Sequence, residues 1–269
     1  MEYYKNVSSY YDNDAANFEK RYGNNPLLQQ IRESFREESK PYVGKKILEI
    51  GYGPGFDLAY FATTFPDSEV YGIDISEEMM LLAQKNTTGV NIENVHVSVG
   101  SVEDIATNFP NTKFDFIYVY FGALNTVEHL DVIAKHLQDL LTPEGKMTLT
   151  FINKYFLSLI IKNLVHGRFK AAFARLGKIW GGYSPYRHLD SRCYSYKEIR
   201  TVFSNFDILS KRGYSISYPA WYEYQKFTTR PSLLKKLWSF DMLLNKTMFW
   251  QLGEYALYHM KHKDSKESR

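Results

Sequence analysis

From Lys46 onward, short β-branched apolar runs alternate with stretches of helical length, and this alternation leaves few folds open. Ile47-Leu48-Glu49-Ile50 ends in glycines and is followed by Leu58-Ala59-Tyr60-Phe61-Ala62. Glu69–Asp74, Val95–Val99, Phe114–Tyr120 and Lys146–Phe151 repeat the strand signal. Between them lie a capped helix opening at Ser76-Glu77-Glu78 and a helix over Val127–Leu141 that stops before Pro143. Strands that alternate with helices imply right-handed crossovers, hence a doubly wound, mostly parallel α/β sheet with helices on both faces. The first forty residues read as two helices broken near Gly23-Asn24-Asn25-Pro26. After Phe151 the alternation lapses. Tyr155–Lys178 reads as helical, apolar and basic, and Gly181-Gly182-Tyr183-Ser184-Pro185 as a loop, before two late strands near Phe206–Arg212 and Glu254–Met260. The expected organisation is a ligand-binding half with N-terminal helices over 1–153 and an inserted helical cap over 154–200. Closing strands with an aromatic, basic segment follow over 201–261, and a frayed tail over 262–269.

Composition narrows the function classes. Hydrophobic residues make 44% and charged residues 23% of the chain, as in folded rather than disordered proteins. The 22 Tyr, 18 Phe and 4 Trp supply much flat apolar surface, for packing or for a hydrophobic ligand. Cys193 stands alone, so no intrachain disulfide forms and packing is its expected role. The opening Met1-Glu2-Tyr3-Tyr4-Lys5-Asn6 lacks the apolar stretch of a secretory signal. The apolar run Phe156–Ile161 stops at Lys162, far short of the roughly 20 residues that span a bilayer. A cytoplasmic protein is the expectation. Charge is divided along the chain: residues 1–153 carry 12 Lys/Arg against 22 Asp/Glu, whereas 154–250 carry 17 against 5. That excess points the second half toward an anionic partner, or toward the acidic first half.

Glu49-Ile50-Gly51-Tyr52-Gly53-Pro54-Gly55 falls where a doubly wound sheet binds its ligand, beyond the carboxyl end of the first strand. Its third glycine follows the second by two residues, unlike the G-x-G-x-x-G dinucleotide fingerprint, and no phosphate-binding Lys follows. A carboxylate at the end of a buried strand, Glu49, suits a ligand with positive charge, such as the sulfonium and ammonium of S-adenosylmethionine. Asp74, closing the second strand, is placed to accept two ribose hydroxyls. This acid, glycine loop and second acid resemble the class I S-adenosylmethionine-dependent methyltransferases. Gly100-Ser101-Val102-Glu103-Asp104, Phe114-Asp115-Phe116-Ile117 and Leu141–Met147 are similar to later segments of that family, and Tyr10-Tyr11-Asp12 to Phe18 to a helix that closes over its cofactor. The resemblance covers roughly residues 8–153. It implies a Rossmann-like domain with Glu49 at the methionine ammonium, Gly51, Gly53 and Gly55 along the methionine backbone, and Asp74 at the ribose. Ile75, Ser101 and Val102 would flank the adenosine, and Tyr11, on the closing helix, would be a catalytic residue. Asp115 is expected to order local backbone instead.

Methyl transfer is an in-line displacement that mainly needs the acceptor aligned, so a base is optional. His129 is the candidate base, because imidazole titrates near neutral pH and the loop after the fourth strand borders the family's methyl site; the alternative is a solvent-facing helix end. Glu128-His129 also resembles part of a metal-associated Glu-x-x-Glu-His motif of ubiquinone-biosynthesis O-methyltransferases, but Asn125 replaces the first acid and no metal is assigned. Tyr183, Tyr186, Arg187 and His188, around a Gly-Gly pair, are candidate substrate contacts. Trp221, Tyr222, Tyr224 and Trp238 are candidates for an apolar pocket wall or for core. The acceptor expected is a small or amphiphilic molecule methylated on O or N. Tyr155–Lys178 and Ser232–Trp250 have the composition of interfacial helices, so a peripheral enzyme acting on lipid at an anionic membrane is the alternative. A nucleic-acid methyltransferase lacks a base-amine motif here and is the weaker reading, as is a non-catalytic binding module.

Overall fold

The structure, a computed structural model that describes residues 2–88, 93–182 and 188–263, is an α/β sandwich of three layers. Two helices lead, α1 (Glu2–Gly23) and α2 (Pro26–Ser39), and their break is sharp because Pro26 starts the second while the Asn25 side chain accepts the Leu27 and Leu28 N–H groups. The alternating part runs β1 (Lys46–Ile50), α3 (Phe56–Thr64), β2 (Glu69–Asp74), α4 (Glu77–Thr88), β3 (Val95–Val99), α5 (Ile105–Asn108), β4 (Phe114–Val119), α6 (Leu130–Leu140) and β5 (Leu141–Ile152). Then come α7 (Leu157–Val165), α8 (Phe169–Ala172), α9 (Tyr196–Val202), β6 (Phe206–Tyr214), α10 (Pro231–Leu244) and β7 (Tyr255–His262). The seven strands form one sheet in the order β3-β2-β1-β4-β5-β7-β6. The first five are parallel, and β7 inserts antiparallel between β5 and β6.

Alternation along each strand sends neighbours to opposite faces. Leu48, Ile117 and Val119 join α6 and α9 in one core, while Ile47, Phe116 and Tyr118 join α2 and α3 in the other. Cys193 packs at the second, and burial pushes its thiol up to about 12.

Three boundaries differ from the sequence reading. The helix expected from Val127 begins at Leu130, because Ala123–Thr126 forms a tight turn held by Asn125. The Asn125 carbonyl oxygen accepts the Ile152 N–H at 2.9 Å, and its amide donates to the carbonyls of Ile152 and Arg192 at 3.2 and 2.6 Å. The strand expected from Lys146 starts at Leu141, which pairs with Phe114; a register shift follows before Phe116 meets Lys146. The helix expected over Tyr155–Lys178 breaks after Val165, where Gly167 takes φ +68°, and resumes as α8 and a single turn at Ala174–Leu176. No helix among the described residues is long and apolar enough to cross a membrane.

Candidate active site

The chain leaves β1 through a turn in which Gly51, Gly53 and Gly55 all have positive φ, 75°, 53° and 77°. Two of them also admit close neighbours: a Cβ on Gly51 would stand 2.6 Å from that of Ala123, and one on Gly55 2.9 Å from that of Ala83. The Gly53 N–H points instead at Asp74, donating to Oδ2 at 2.8 Å, while Oδ1 accepts the Ser76 N–H at 3.0 Å. Burial nevertheless dominates, and the Asp74 carboxyl is pushed up to about 6. The Ser76 hydroxyl also bonds Asp12 Oδ1 at 2.6 Å, which ties α1 down beside the turn.

Glu49 is buried at the end of β1, where its Oε2 accepts the Tyr118 hydroxyl at 2.8 Å. Burial holds its carboxyl well above the usual range, and the Asp57 carboxylate adds to this against the pull of Arg32 and Arg36. Asp57 itself is bracketed. Arg32 Nη1 pairs with its Oδ2, and Arg36 Nε with its Oδ1 at 2.6 Å. Arg32 lies against the rings of Phe56 and Phe121, and its buried Nε has no hydrogen-bond partner among the described residues.

These groups open on one cavity of about 710 Å³, within the roughly 300–1,000 Å³ of small-molecule sites. Glu49, Gly51, Gly53, Asp74, Ile75, Ser101 and Val102 line its sheet end, with Tyr11 and Phe18 of α1 above. Gly55 caps α3 behind the lining. Ser101 caps the next turn, donating its N–H and hydroxyl to Asp104 Oδ2 at 2.8 and 2.7 Å. Leu159, Arg175, Trp180, Tyr222 and Glu254 line the cavity beyond the ends of β5 and β7, and Trp221 lines it beside Tyr22 of α1. His129 precedes α6 outside this lining, its side chain 69% exposed and 3.9 Å from Glu128. His188 is likewise outside, with its side chain 70% exposed and paired with Asp190 at 2.6 Å. Tyr183, Tyr186 and Arg187 lie outside the described residues. Of the aromatic candidates, Trp221 and Tyr222 line the cavity, whereas Tyr224 and Trp238 pack on the core.

Sequence reasoning missed Arg32, Asp57, Arg175 and Glu254. A signal existed for the first pair: Arg32 and Arg36 share one face of α2 with buried Leu28 and Phe35, where an unpaired charge does not persist.

A pair of buried acids flanking a glycine turn suits a ligand with an ammonium and vicinal hydroxyls, and disfavours a pyrophosphate. Comparisons with known proteins agree. A family model described as a methyltransferase domain matches residues 42–195. The uncharacterized protein MJ1252 of Methanocaldococcus jannaschii is 29% identical over 217 residues, 79% of this chain and 77% of that protein. Demethylmenaquinone methyltransferase of Geobacillus stearothermophilus is 24% identical over 145 residues, 53% of this chain and 58% of the enzyme, so the match spans little more than half its length. The solved S-adenosylmethionine-dependent methyltransferase from Clostridium acetobutylicum shares the fold, with a TM-score of 0.55 at 13% identity over 94% of this chain and 98% of that one. Since the family match takes in more than half of the sequence, the chain belongs to the class I S-adenosylmethionine-dependent methyltransferases.

Proposed function

We propose that this protein transfers a methyl group to an O or N atom of a small or amphiphilic, largely apolar acceptor. The observation that carries the reading is a single cavity with paired acids and a glycine turn at one end and a mostly apolar, aromatic wall at the other. Bound at the first end, S-adenosylmethionine supplies a methyl carbon activated by its sulfonium. Glu49 then faces the ammonium, and the unpartnered Nε–H of Arg32 suits the carboxylate of the same amino-acid group. Asp74 accepts the ribose hydroxyls, Ser101 meets the adenine edge, and Ile75 and Val102 flank its faces. Tyr11, on the helix tied down through Asp12, closes the site from above and shields it from water. Radiolabelled methyl transfer to a panel of phenols, amines and extracted lipids tests the reading. Labelled product from one class supports it, and cofactor binding with no transfer to any class contradicts it.

Asp74 makes the binding pH-dependent. Its folded value of about 6 exceeds the ordinary 3.8, so the folded chain holds this proton more tightly than the unfolded chain. Stability from this group therefore declines as pH rises from about 4 to 6, while hydroxyl binding needs the ionised form that appears above 6. S-Adenosylhomocysteine affinity is expected to rise about tenfold per pH unit up to 6, above which the Asp74 contribution levels off. Affinity that stays flat in titrations between pH 5 and 7 would contradict the assignment.

A second reading concerns where the acceptor comes from. Residues 155–182 contain no Asp or Glu, and Arg168, Lys170 and Lys178 are exposed among Ile161, Val165, Phe169, Phe173 and Ile179. Val165 is 78% exposed and Phe169 65%. An apolar face whose charges are all basic is complementary to an anionic lipid surface. Cosedimentation with phosphatidylglycerol vesicles is expected, reversed at about 0.5 M salt, where the Debye length falls to about 4 Å, and lost in Val165→Asp with Phe169→Asp. Equal binding to neutral phosphatidylcholine vesicles would sink it.

A further inference from the structure

At the end of the cavity away from the glycine turn, two charged side chains are sealed in with their pairing incomplete. Arg175, on the Ala174–Leu176 turn, reaches back to the sheet: Nη2 donates to Glu254 Oε1 at 3.1 Å and Nη1 to the Asn153 carbonyl at 3.3 Å. Both side chains are 5% exposed and both line the cavity. The pair nevertheless leaves Glu254 Oε2 and Arg175 Nε buried with no hydrogen-bond partner among the described residues. A purely structural ion pair is favoured when its remaining lone pairs and protons are bonded, because buried unpartnered polar atoms are costly. Here the open atoms belong to the residues that line the cavity.

The surroundings restrict what would bond them. Trp180 and Tyr222 give this end flat apolar walls. The Arg175 guanidinium already lies over the Trp180 ring, 4.6 Å from its centroid, and over Phe156 at 4.9 Å. An ammonium placed here would meet that fixed cation, and the ring face that best attracts a cation is taken. A neutral hydroxyl donates to a carboxylate oxygen without this conflict.

We propose that this end is the acceptor subsite, in which Glu254 Oε2 accepts a hydrogen bond from the hydroxyl of a neutral aromatic acceptor, a phenol or hydroquinone. Arg175 is a positioning residue that fixes the carboxylate through Oε1. The inference rests on the methyl-transfer reading of the cavity and adds the class of the acceptor. Glu254 recognises the hydroxyl, and no covalent step is assigned to it.

Equilibrium dialysis of the full chain, saturated with S-adenosylhomocysteine, against 1-naphthol, 1-methoxynaphthalene and 1-naphthylmethylamine tests it. The expected result is that 1-naphthol binds at least about tenfold more tightly than its methyl ether, as one charge-assisted hydrogen bond gives. Glu254→Gln and Arg175→Met are expected to cut that ratio below about threefold while S-adenosylhomocysteine still binds, which reports that the variants fold. Should either variant fail to fold, the wild-type ratio decides alone. Equal affinity for the naphthol and its ether, or no binding of either, overturns the proposal, and tighter binding of the ammonium overturns it in favour of an amine subsite. Failure of the wild type to bind S-adenosylhomocysteine takes down the methyl-transfer reading itself, a separate and recognisable outcome.

Discussion

Asp57→Asn is expected to destabilise the protein by about 3–5 kcal/mol, seen as a fall in melting temperature of roughly 10 °C for a domain of this size. Asp57 sits in the first turn of α3, where it is the shared counter-ion of Arg32 and Arg36. Those guanidiniums have 7% and 14% of their side-chain surface exposed, so neither finds water when the charge opposite is removed. Glu49 is the nearest substitute. It is held by Tyr118, and burial together with the Asp57 carboxylate raises its carboxyl, so neutralising Asp57 favours the Glu49 anion and compensates in part. A melting temperature within about 2 °C of wild type, less than 1 kcal/mol, would mean that the triad is not a buried network. Arg36 also donates to the Phe56 carbonyl at 2.8 Å, so the loss is expected to loosen the start of α3 and the glycine turn before it.

Asp74→Ala carries the second large effect. It removes the acceptor of the Gly53 and Ser76 N–H groups together with the proposed acceptor of the ribose hydroxyls. Two charge-assisted hydrogen bonds of about 1.5 kcal/mol each amount to about 3 kcal/mol, or on the order of a hundredfold in S-adenosylhomocysteine affinity. The unliganded protein is expected to lose far less. Alanine leaves two backbone donors unpaired but also relieves the cost of burying a charge, the reason the Asp74 carboxyl is raised. Calorimetric titration alongside thermal melting separates the effects. Unchanged affinity would remove the ribose from this position.

How much of this was legible in the sequence depends on the range of the interaction. Glu49 and Asp74 at the strand ends were readable because a short apolar run stops at glycines after the first and at the capped helix start Ser76-Glu77-Glu78 after the second, signals contained within a few residues. For Asp115 the role was readable but not the partners, which lie 69 and 27 positions away. Its Oδ2 accepts the Lys46 N–H at 3.0 Å and its Oδ1 the Thr142 hydroxyl at 3.3 Å, so it orders the start of β1 and the segment entering β5 rather than its own neighbours in sequence. The Arg32–Asp57 and Arg175–Glu254 pairs join residues 25 and 79 positions apart, and only the folded chain brings them together. Periodicity cannot report which buried charge meets which. At Gly167 the apolar period continues, but the left-handed backbone that glycine allows ends the helix. For His129, residue chemistry identified a titratable group at a suitable loop, while the direction of the side chain is fixed by how α6 begins, three residues later than the apolar pattern suggested.

A crystal structure of the protein grown with S-adenosylhomocysteine tests the central claim most directly. The account predicts the ribose hydroxyls within hydrogen-bond distance of Asp74, the adenine between Ile75 and Val102, and the amino-acid end between Glu49 and Arg32, with the sulfur directed at the wall formed by Trp180 and Tyr222. A ligand lying the other way round, with its ribose remote from Asp74, would contradict it.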